Sequence, residues 1–282
     1  MSPEPPADVE QCVARALVED VGDGDLTARL VPDVGASARI VTREDALLCG
    51  RPYAEAAFRQ LDPSAQLHWS ALDGDRVQAG ATLCRIHARA RALLTAERTV
   101  LNFLQTLSAT ATQAAGYVAA VAGTGCTILD TRKTLPGLRL AQKYAVRCGG
   151  ARNHRLGLHD GILIKENHIS AAGSIAGAVQ AARRISSAVP VEVEVEVESL
   201  GELEQALAAG ADIVMLDDFG LEDMRAAVVL NRSHPQRAKL EASGGVSLDS
   251  VRTIAGTGVD FVSVGAITKH VRAIDLSMRF ED

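Results

Sequence analysis

The chain has 282 residues, 47% of them hydrophobic and 23% charged, enough to bury one large core or two modest ones. Only 3% of the residues are aromatic and the net charge is −6, which argues against a surface for nucleic acid. No apolar run reaches the length of a membrane span, and the first residues lack a signal-peptide pattern. Five scattered cysteines without a CxxC pair are typical of reduced thiols, so we expect a cytoplasmic protein. Because there is no apolar span, we expect no membrane partner.

The first ninety residues predict a small mixed α+β domain. An acidic helix is expected over residues 9–19, and short extended stretches at 38–41, 66–69 and 82–86 are separated by Asp-Pro, Asp-Gly and Ala-Gly turns. From Thr95 onward, apolar residues recur at spacings of three and four, which predicts a long helix.

Beyond residue 125, apolar strand candidates alternate with helical segments. The candidates cover 126–129, 161–164, 191–197, 212–216, 239–241 and 259–264. This alternation predicts parallel βαβ units. Six units fit an incomplete TIM-like barrel, and an open doubly wound sheet is the alternative. Polar residues follow nearly every strand candidate, which favours a barrel because its site is built from all the carboxyl ends of its strands.

Residues 191–198 alternate Val and Glu strictly, so that all four glutamates share one face of a strand. The simpler interpretation is an edge strand with an acidic face in water. In a barrel the glutamates would point inward, where they need partners such as Lys133, Lys165 or Arg155. Glu196 and the next strand end, Asp217, are then candidate Mg²⁺ ligands, because magnesium prefers carboxylate oxygens.

Residues 130–168 contain eight Lys or Arg and three acids, a basic island in an acidic chain. Such an island predicts an anionic ligand, and a solvated helix face is the alternative. Arg132 can grip a carboxylate with two parallel hydrogen bonds, and Lys133 offers a compact charge for phosphate. His154, beside Arg155, is a candidate for the same ligand site, and a purely structural role is the alternative.

Two glycine-containing loops follow the last two strands, at residues 243–247 and 264–266. Glycine lets backbone N–H groups approach an anion closely, and barrels often bind phosphate at their last two strand ends. We therefore expect phosphate sites there, with ordinary tight turns as the alternative.

Several motifs resemble the quinolinate phosphoribosyltransferase family, over nearly the whole chain. The most specific are DTRKTLPG at 130–137 and NHR at 153–155, and further matches lie at 19–27, 95–102, 142–146, 149–150, 164–168, 216–219 and 241–245. Asp218 stands where members commonly carry asparagine, and Glu166 where aspartate is common. Neither change removes a charge expected to hold substrate.

The resemblance implies that quinolinate and phosphoribosyl pyrophosphate are converted to nicotinate mononucleotide, pyrophosphate and CO₂ with Mg²⁺, in NAD synthesis. It also implies an α/β fold with an N-terminal α/β sandwich domain (1–112, joined by 268–282) and an incomplete TIM-like barrel (113–267). A homo-oligomer is implied as well, at least a dimer, in which Arg98 reaches the partner's site.

The resemblance also implies roles for individual residues. Quinolinate carboxylates would be held by Arg98, Arg132, His154 and Arg155. Lys133 and Lys165 would face both substrates, and Glu196 and Asp217 would bind ribose hydroxyls and Mg²⁺. Thr131 belongs to the same substrate site, and phosphates would lie around Ser243, Gly244, Gly245, Val264, Gly265 and Ala266. Lys133, Lys165, Glu196 and Asp217 are the expected catalytic residues.

Two other functions stay open at this point. One is phosphoribosyl transfer to a different acid, as in pyrophosphorylase-like proteins associated with molybdenum transport genes. The other is a sensor that binds the anions without turnover.

Overall fold

The computed structural model describes residues 3–281. Its elements in chain order are α1 (Val9–Val21), a 3₁₀ turn (Ala28–Leu30), β1 (Gly35–Thr42), β2 (Ala46–Leu47), α2 (Arg51–Leu61), β3 (Gln66–Trp69), β4 (Arg76–Val77), β5 (Thr82–Arg89), α3 (Ala90–Ala120), β6 (Thr127–Leu129), α4 (Arg139–Cys148), β7 (Ile162–Ile164), α5 (Glu166–Ala172), α6 (Ile175–Ser186), β8 (Val193–Val197), α7 (Leu200–Ala208), β9 (Ile213–Asp217), α8 (Leu221–Ser233), β10 (Lys239–Ser243), α9 (Leu248–Ala255), β11 (Phe261–Ser263), α10 (Ala266–Lys269) and β12 (Leu276–Glu281).

The chain divides by its internal contacts into two compact units. The first comprises residues up to 115, residues 134–150 and residues from 267 onward, and the second comprises 116–133 and 151–266. Segment 134–150, which contains α4, therefore belongs to the first unit. The sequence did not predict that this segment leaves the second unit. The domain ranges expected from the sequence stay a prediction.

The first unit is an α/β sandwich built on an antiparallel sheet in the order β12-β1-β5-β3. Strand β1 shows why the sheet has two unlike faces, because its residues alternate between core and surface. Ala38 and Ile40 are fully buried in a core shared with α1, α2 and α3. The neighbouring Arg39 lies on the other face, where its Nε is 3.8 Å from Glu281 Oε1. The predicted α/β sandwich is confirmed, and the C-terminal strand β12 is part of its sheet.

The second unit contains six parallel strands in the order β6-β11-β10-β9-β8-β7. From β7 to β11 consecutive strands are neighbours, and the first strand, β6, pairs with the last, β11, which is the cyclic order of a barrel rather than the reversed order of a doubly wound sheet. Within residues 3–281, β6 and β7 do not pair, although a single bridge joins Leu129 to Arg152. The predicted incomplete barrel is confirmed, and all six strand candidates are strands.

The predicted start of the long helix was wrong. Helix α3 begins at Ala90, five residues before the expected Thr95. Strand β5 ends at Arg89 and runs directly into the helix, because residues 90–94 (ARALL) are strong helix formers with no intervening turn residue. Among the helices of residues 3–281, none combines the length and the apolar character needed to cross a membrane.

Candidate active site

A polar cavity of about 250 Å³ lies at the carboxyl ends of the parallel strands of the second unit. Nine of the fifteen predicted site residues line it: Thr131, Arg132, Lys133, His154, Arg155, Lys165, Glu196, Asp217 and Ser243. The other six lie elsewhere: Gly244 and Gly245 directly after β10, Val264, Gly265 and Ala266 after β11, and Arg98 in α3 of the first unit. The barrel thus gathers side chains that are more than a hundred residues apart in sequence.

Strand β8 delivers carboxylates to the inside of the barrel. Val193, Val195 and Val197 are fully buried, and the alternate residues Glu194 and Glu196 line interior cavities. The inward orientation of these glutamates, one of the two interpretations of the sequence, is therefore the correct one. Glu192 and Glu198 continue the alternation but are exposed, because β8 is only five residues long and does not include them.

Glu196 forms an ion pair with Lys165, one of the partners that the sequence suggested. Lys165 stands immediately after β7, and its side chain is 43% exposed, whereas that of Glu196 is 10% exposed. A lysine with this exposure retains freedom to turn toward an incoming anion, because a partly exposed ion pair is held only weakly.

The NHR segment is fixed by Asp130, a fully buried acid just after β6. Asp130 Oδ1 accepts a hydrogen bond from the backbone N–H of His154 at 2.8 Å, and Oδ2 accepts one from Asn153 Nδ2 at 2.7 Å. A carboxylate that accepts bonds from both backbone and side chain orients the loop that carries Arg155. The sequence analysis did not assign this role to Asp130, although its position directly after a strand was a signal.

The side chains of Arg132 and Arg155 both line the cavity. Burial lowers the pKa of Arg155, and the nearby positive charge of Arg132 lowers it further, although arginine remains protonated. Arg155 Nη1 donates to the carbonyl of Gly161 at 3.2 Å. Arg132 Nε is buried and has no hydrogen-bond partner within residues 3–281. Paired cations with an unsatisfied buried donor are a favourable environment for a carboxylate ligand.

Both ring nitrogens of His154 already have partners in the protein. Nδ1 accepts the backbone N–H of Arg155 at 2.7 Å, and Nε2 lies 2.9 Å from Glu194 Oε2 and 3.7 Å from Glu241 Oε2. His154 therefore braces the loop of Arg155, and its expected contact with substrate stays a prediction. The acids Glu194 and Glu241 were missed as site residues. The alternation of β10 placed Glu241 on the same face as Ser243, which was the available signal.

The loop after β10 approaches the loop after β9 very closely. Gly244 has a φ of +99°, and a Cβ built on it would lie 1.9 Å from Asp218 Oδ1 and 3.0 Å from the Asp218 backbone nitrogen. Asp218 itself has a φ of +53°, a conformation that Asp tolerates better than most residues. Gly265 lies close to the Lys133 side chain, since a Cβ built on Gly265 would be 3.0 Å from Lys133 Cδ. Glycine is thus required at Gly244, where backbone N–H groups can face an anion.

The donor set suits a divalent cation at the expected position. Glu196 and Asp217 face the same cavity and offer carboxylate oxygens, the ligands that Mg²⁺ prefers, while leaving room for waters and phosphate oxygens. A buried group in the first unit (Cys49, Asp73 and Cys148) is less suited to a metal. Burial raises the pKa of the Cys49 thiol, and Asp73 already accepts the Tyr144 hydroxyl at 2.7 Å.

An incomplete parallel barrel whose strand ends surround arginines, lysines and two carboxylates defines an enzyme class that acts on small polyanions. Two family descriptions match the chain: "Quinolinate phosphoribosyl transferase, N-terminal domain" over residues 25–108 and the corresponding C-terminal domain over residues 110–279. The chain belongs to the quinolinate phosphoribosyltransferase family, and the resemblance seen in its motifs is confirmed.

Similar proteins span almost the full chain. The nicotinate-nucleotide pyrophosphorylase [carboxylating] of Mycobacterium leprae is 42% identical over 274 residues, covering 94% of this chain and 95% of its own. The solved structure of nicotinate-nucleotide pyrophosphorylase from Francisella tularensis is 49% identical with a TM-score of 0.94, and the match covers 99% of this chain and 98% of that one. Human nicotinic acid phosphoribosyltransferase, at 13% identity and a TM-score of 0.61 over 96% of this chain and 73% of its own, shares the fold alone.

Proposed function

We propose that this protein is a pentosyltransferase that converts quinolinate and phosphoribosyl pyrophosphate into nicotinate mononucleotide, pyrophosphate and CO₂. Relatives that match more than nine-tenths of the chain are named for this activity. The single structural observation that carries the proposal is the pair Arg132 and Arg155, with a buried Arg132 donor that lacks a partner within residues 3–281. A ligand with two adjacent carboxylates satisfies that pair.

The same cavity also holds residues suited to the sugar donor. As the bond from ribose C1 to pyrophosphate breaks, C1 gains positive charge, which the carboxylates of Glu196 and Asp217 stabilise. Lys133 and Lys165 offset the negative charge that grows on the departing pyrophosphate. The glycine loops at Gly244 and Gly265 are suited to hold phosphate oxygens with backbone N–H groups.

The chemistry requires no general base, because the pyridine nitrogen of quinolinate is itself the nucleophile. Its lone pair forms the new bond to C1 while pyrophosphate leaves with the old bonding pair. The alkylated ring is then cationic, and its nitrogen stabilises the electron pair that stays on the neighbouring ring carbon when the carboxylate departs as CO₂. That carbon then takes up a proton from water, which gives nicotinate mononucleotide. The work of the protein is mainly to orient two polyanions, so clustered cations replace a catalytic triad.

Mg²⁺ belongs to this proposal, with Glu196 and Asp217 as the residues that hold it. When bound, the ion neutralises charge on the pyrophosphate group. We also propose a cytoplasmic homodimer in which Arg98 of one subunit completes the partner's quinolinate site. A requirement for Arg98 fits its place in the long helix α3, outside the barrel unit that holds the other cations.

A product assay tests the proposal. Purified protein is mixed with quinolinate, phosphoribosyl pyrophosphate and Mg²⁺, and nicotinate mononucleotide, pyrophosphate and CO₂ are measured, with a chelator sample to test the metal. We expect all three products in equal amounts. Mononucleotide from nicotinic acid but not from quinolinate would indicate transfer to another acid. Ligand binding without any product over a range of pH would indicate a sensor.

A further inference from the structure

Glu194 and Glu241 form a buried acidic pair beneath the active-site cavity. Glu241 is 0% exposed and Glu194 is 4% exposed, and together with His154 their ligand atoms lie within 4.8 Å of one another. Glu241 Oε1, Glu241 Oε2 and Glu194 Oε1 have no hydrogen-bond partner within residues 3–281. Two buried carboxylates this close require a compensating positive charge, either a metal ion or a proton.

The tautomer of His154 decides between these two. Its Nδ1 accepts the backbone N–H of Arg155 at 2.7 Å, so Nε2 carries the ring proton and donates it to Glu194 Oε2 at 2.9 Å. A metal at Nε2 needs the lone pair of that nitrogen and a proton on Nδ1, which would point at the N–H of Arg155. His154 is thus arranged for hydrogen bonding and not for binding a metal. The positive charge that compensates the two carboxylates is therefore a proton.

Glu241 is the acid that holds this proton. Burial and, to a smaller extent, the charge of Glu194 raise the pKa of Glu241 to about 8, although His154 and Ser263 act in the opposite direction. The neighbouring strands present Met215 and Phe261 beside it, which add no charge.

Charged groups near the pair do not neutralise it. Lys239, two residues earlier on the same strand, has its Nζ 3.0 Å from Asp260 Oδ1. Arg155 interacts with Glu194, whose charge favours the protonated guanidinium.

Glu241 stands between two cavities. His154, Arg155 and Glu241 line both the active-site cavity and a second cavity of about 610 Å³ that also includes Arg152, Asp160 and Lys239. Glu241 can therefore exchange its proton from the side away from the substrates, and its charge acts directly beneath the predicted carboxylate-binding residues.

We propose that Glu241 is a positioning residue for the carboxylate substrate: it stays protonated at neutral pH, so that of this pair of acids only Glu194 presents a negative charge to His154 and Arg155. The proposal rests on the proposed function, because quinolinate is the ligand whose binding it controls. When Glu241 loses its proton, a second negative charge appears under Arg155 and opposes the substrate's two carboxylates. We expect KM for quinolinate to rise about tenfold between about pH 7 and pH 9, with kcat changed much less.

Glu241→Gln tests this directly, because glutamine is similar in shape and permanently neutral. Glu204→Gln, on the exposed surface of α7, is the matched control. The control should show the same rise in KM for quinolinate as the parent protein, and Glu241→Gln should show a flat KM over that pH range. The other ionisable residues of the active-site cavity are the same in all three proteins, so a difference between them reports on Glu241. An equal rise in KM in Glu241→Gln would overturn the proposal.

A readout without turnover separates this proposal from the proposed function. With ¹³C-labelled glutamate, one side-chain carboxyl resonance of the unmodified protein should titrate near pH 8 and be missing from Glu241→Gln. If every glutamate resonance of the parent protein titrates in the usual acidic range, Glu241 holds no proton and the proposal is wrong, even if the protein makes nicotinate mononucleotide. The parent-protein titration also decides the matter if the variant does not fold.

Discussion

Replacing Gly244 with alanine should destabilise the barrel unit by about 2–4 kcal/mol. A side chain at a φ of +99° costs ~1–3 kcal/mol. The new Cβ would also lie 1.9 Å from Asp218 Oδ1 and 3.0 Å from the Asp218 backbone nitrogen. The carboxylate can rotate away, but the nitrogen is held because it donates to the carbonyl of Ser243 at 3.1 Å. Moving it weakens a hydrogen bond worth ~1 kcal/mol.

Gly245→Ala is the matched control, because Gly245 has a φ of +55° and no atom within 4 Å of its would-be Cβ. It should cost about 1 kcal/mol, the backbone penalty alone. Thermal unfolding followed by circular dichroism should place Tm of Gly244→Ala roughly 4–16 °C below the parent protein, and that of Gly245→Ala roughly 2–4 °C below. Equal Tm values for the two variants would refute the claim that Asp218 restricts position 244. We also expect KM for phosphoribosyl pyrophosphate to rise in Gly244→Ala.

Three further predictions concern charge. Arg132→Ala and Lys133→Ala should each lower kcat/KM by at least ~100-fold with little change in Tm, because their charges serve ligands rather than the core; unfolding of either variant at room temperature would contradict this. An equimolar mixture of Arg98→Ala and Arg155→Ala should recover up to about a quarter of parental activity, since half of randomly formed dimers carry one intact site; no recovery after confirmed subunit exchange would remove the shared-site proposal. Glu241 binds its proton more tightly in the folded protein, so its stabilising effect is full below about pH 4.5 and is lost as pH rises through about 8. Urea unfolding of Glu241→Gln should therefore lack a decline of up to about 1.4 kcal/mol per pH unit over that window, and parallel curves for variant and parent would contradict the assignment.

Much of the architecture could be predicted from local patterns. Strict Val–Glu alternation forces a strand with a carboxylate face, and six apolar runs separated by helical segments predict parallel strands. The same periodicity located Glu196 and Asp217 at strand ends, and the motif around Arg132 and Lys133 identified the family. These inferences succeed because side-chain direction in a strand depends on the chain itself.

Burial depth and contacts across the barrel could not be obtained in this way. Nothing local indicates that Asp130 holds the backbone of His154, 24 residues later, or that Glu241 is buried against Glu194. Segment 134–150 likewise looks continuous with the barrel sequence but has its contacts in the first unit.

The sequence by itself therefore determined which side chains share a strand face and which family the chain resembles. Only the tertiary structure decided that the glutamates of β8 face the barrel interior and how close Glu194 comes to Glu241. The physical reason is that periodicity sets the direction of a side chain, whereas a pKa depends on distances and desolvation that exist only once the strands have closed.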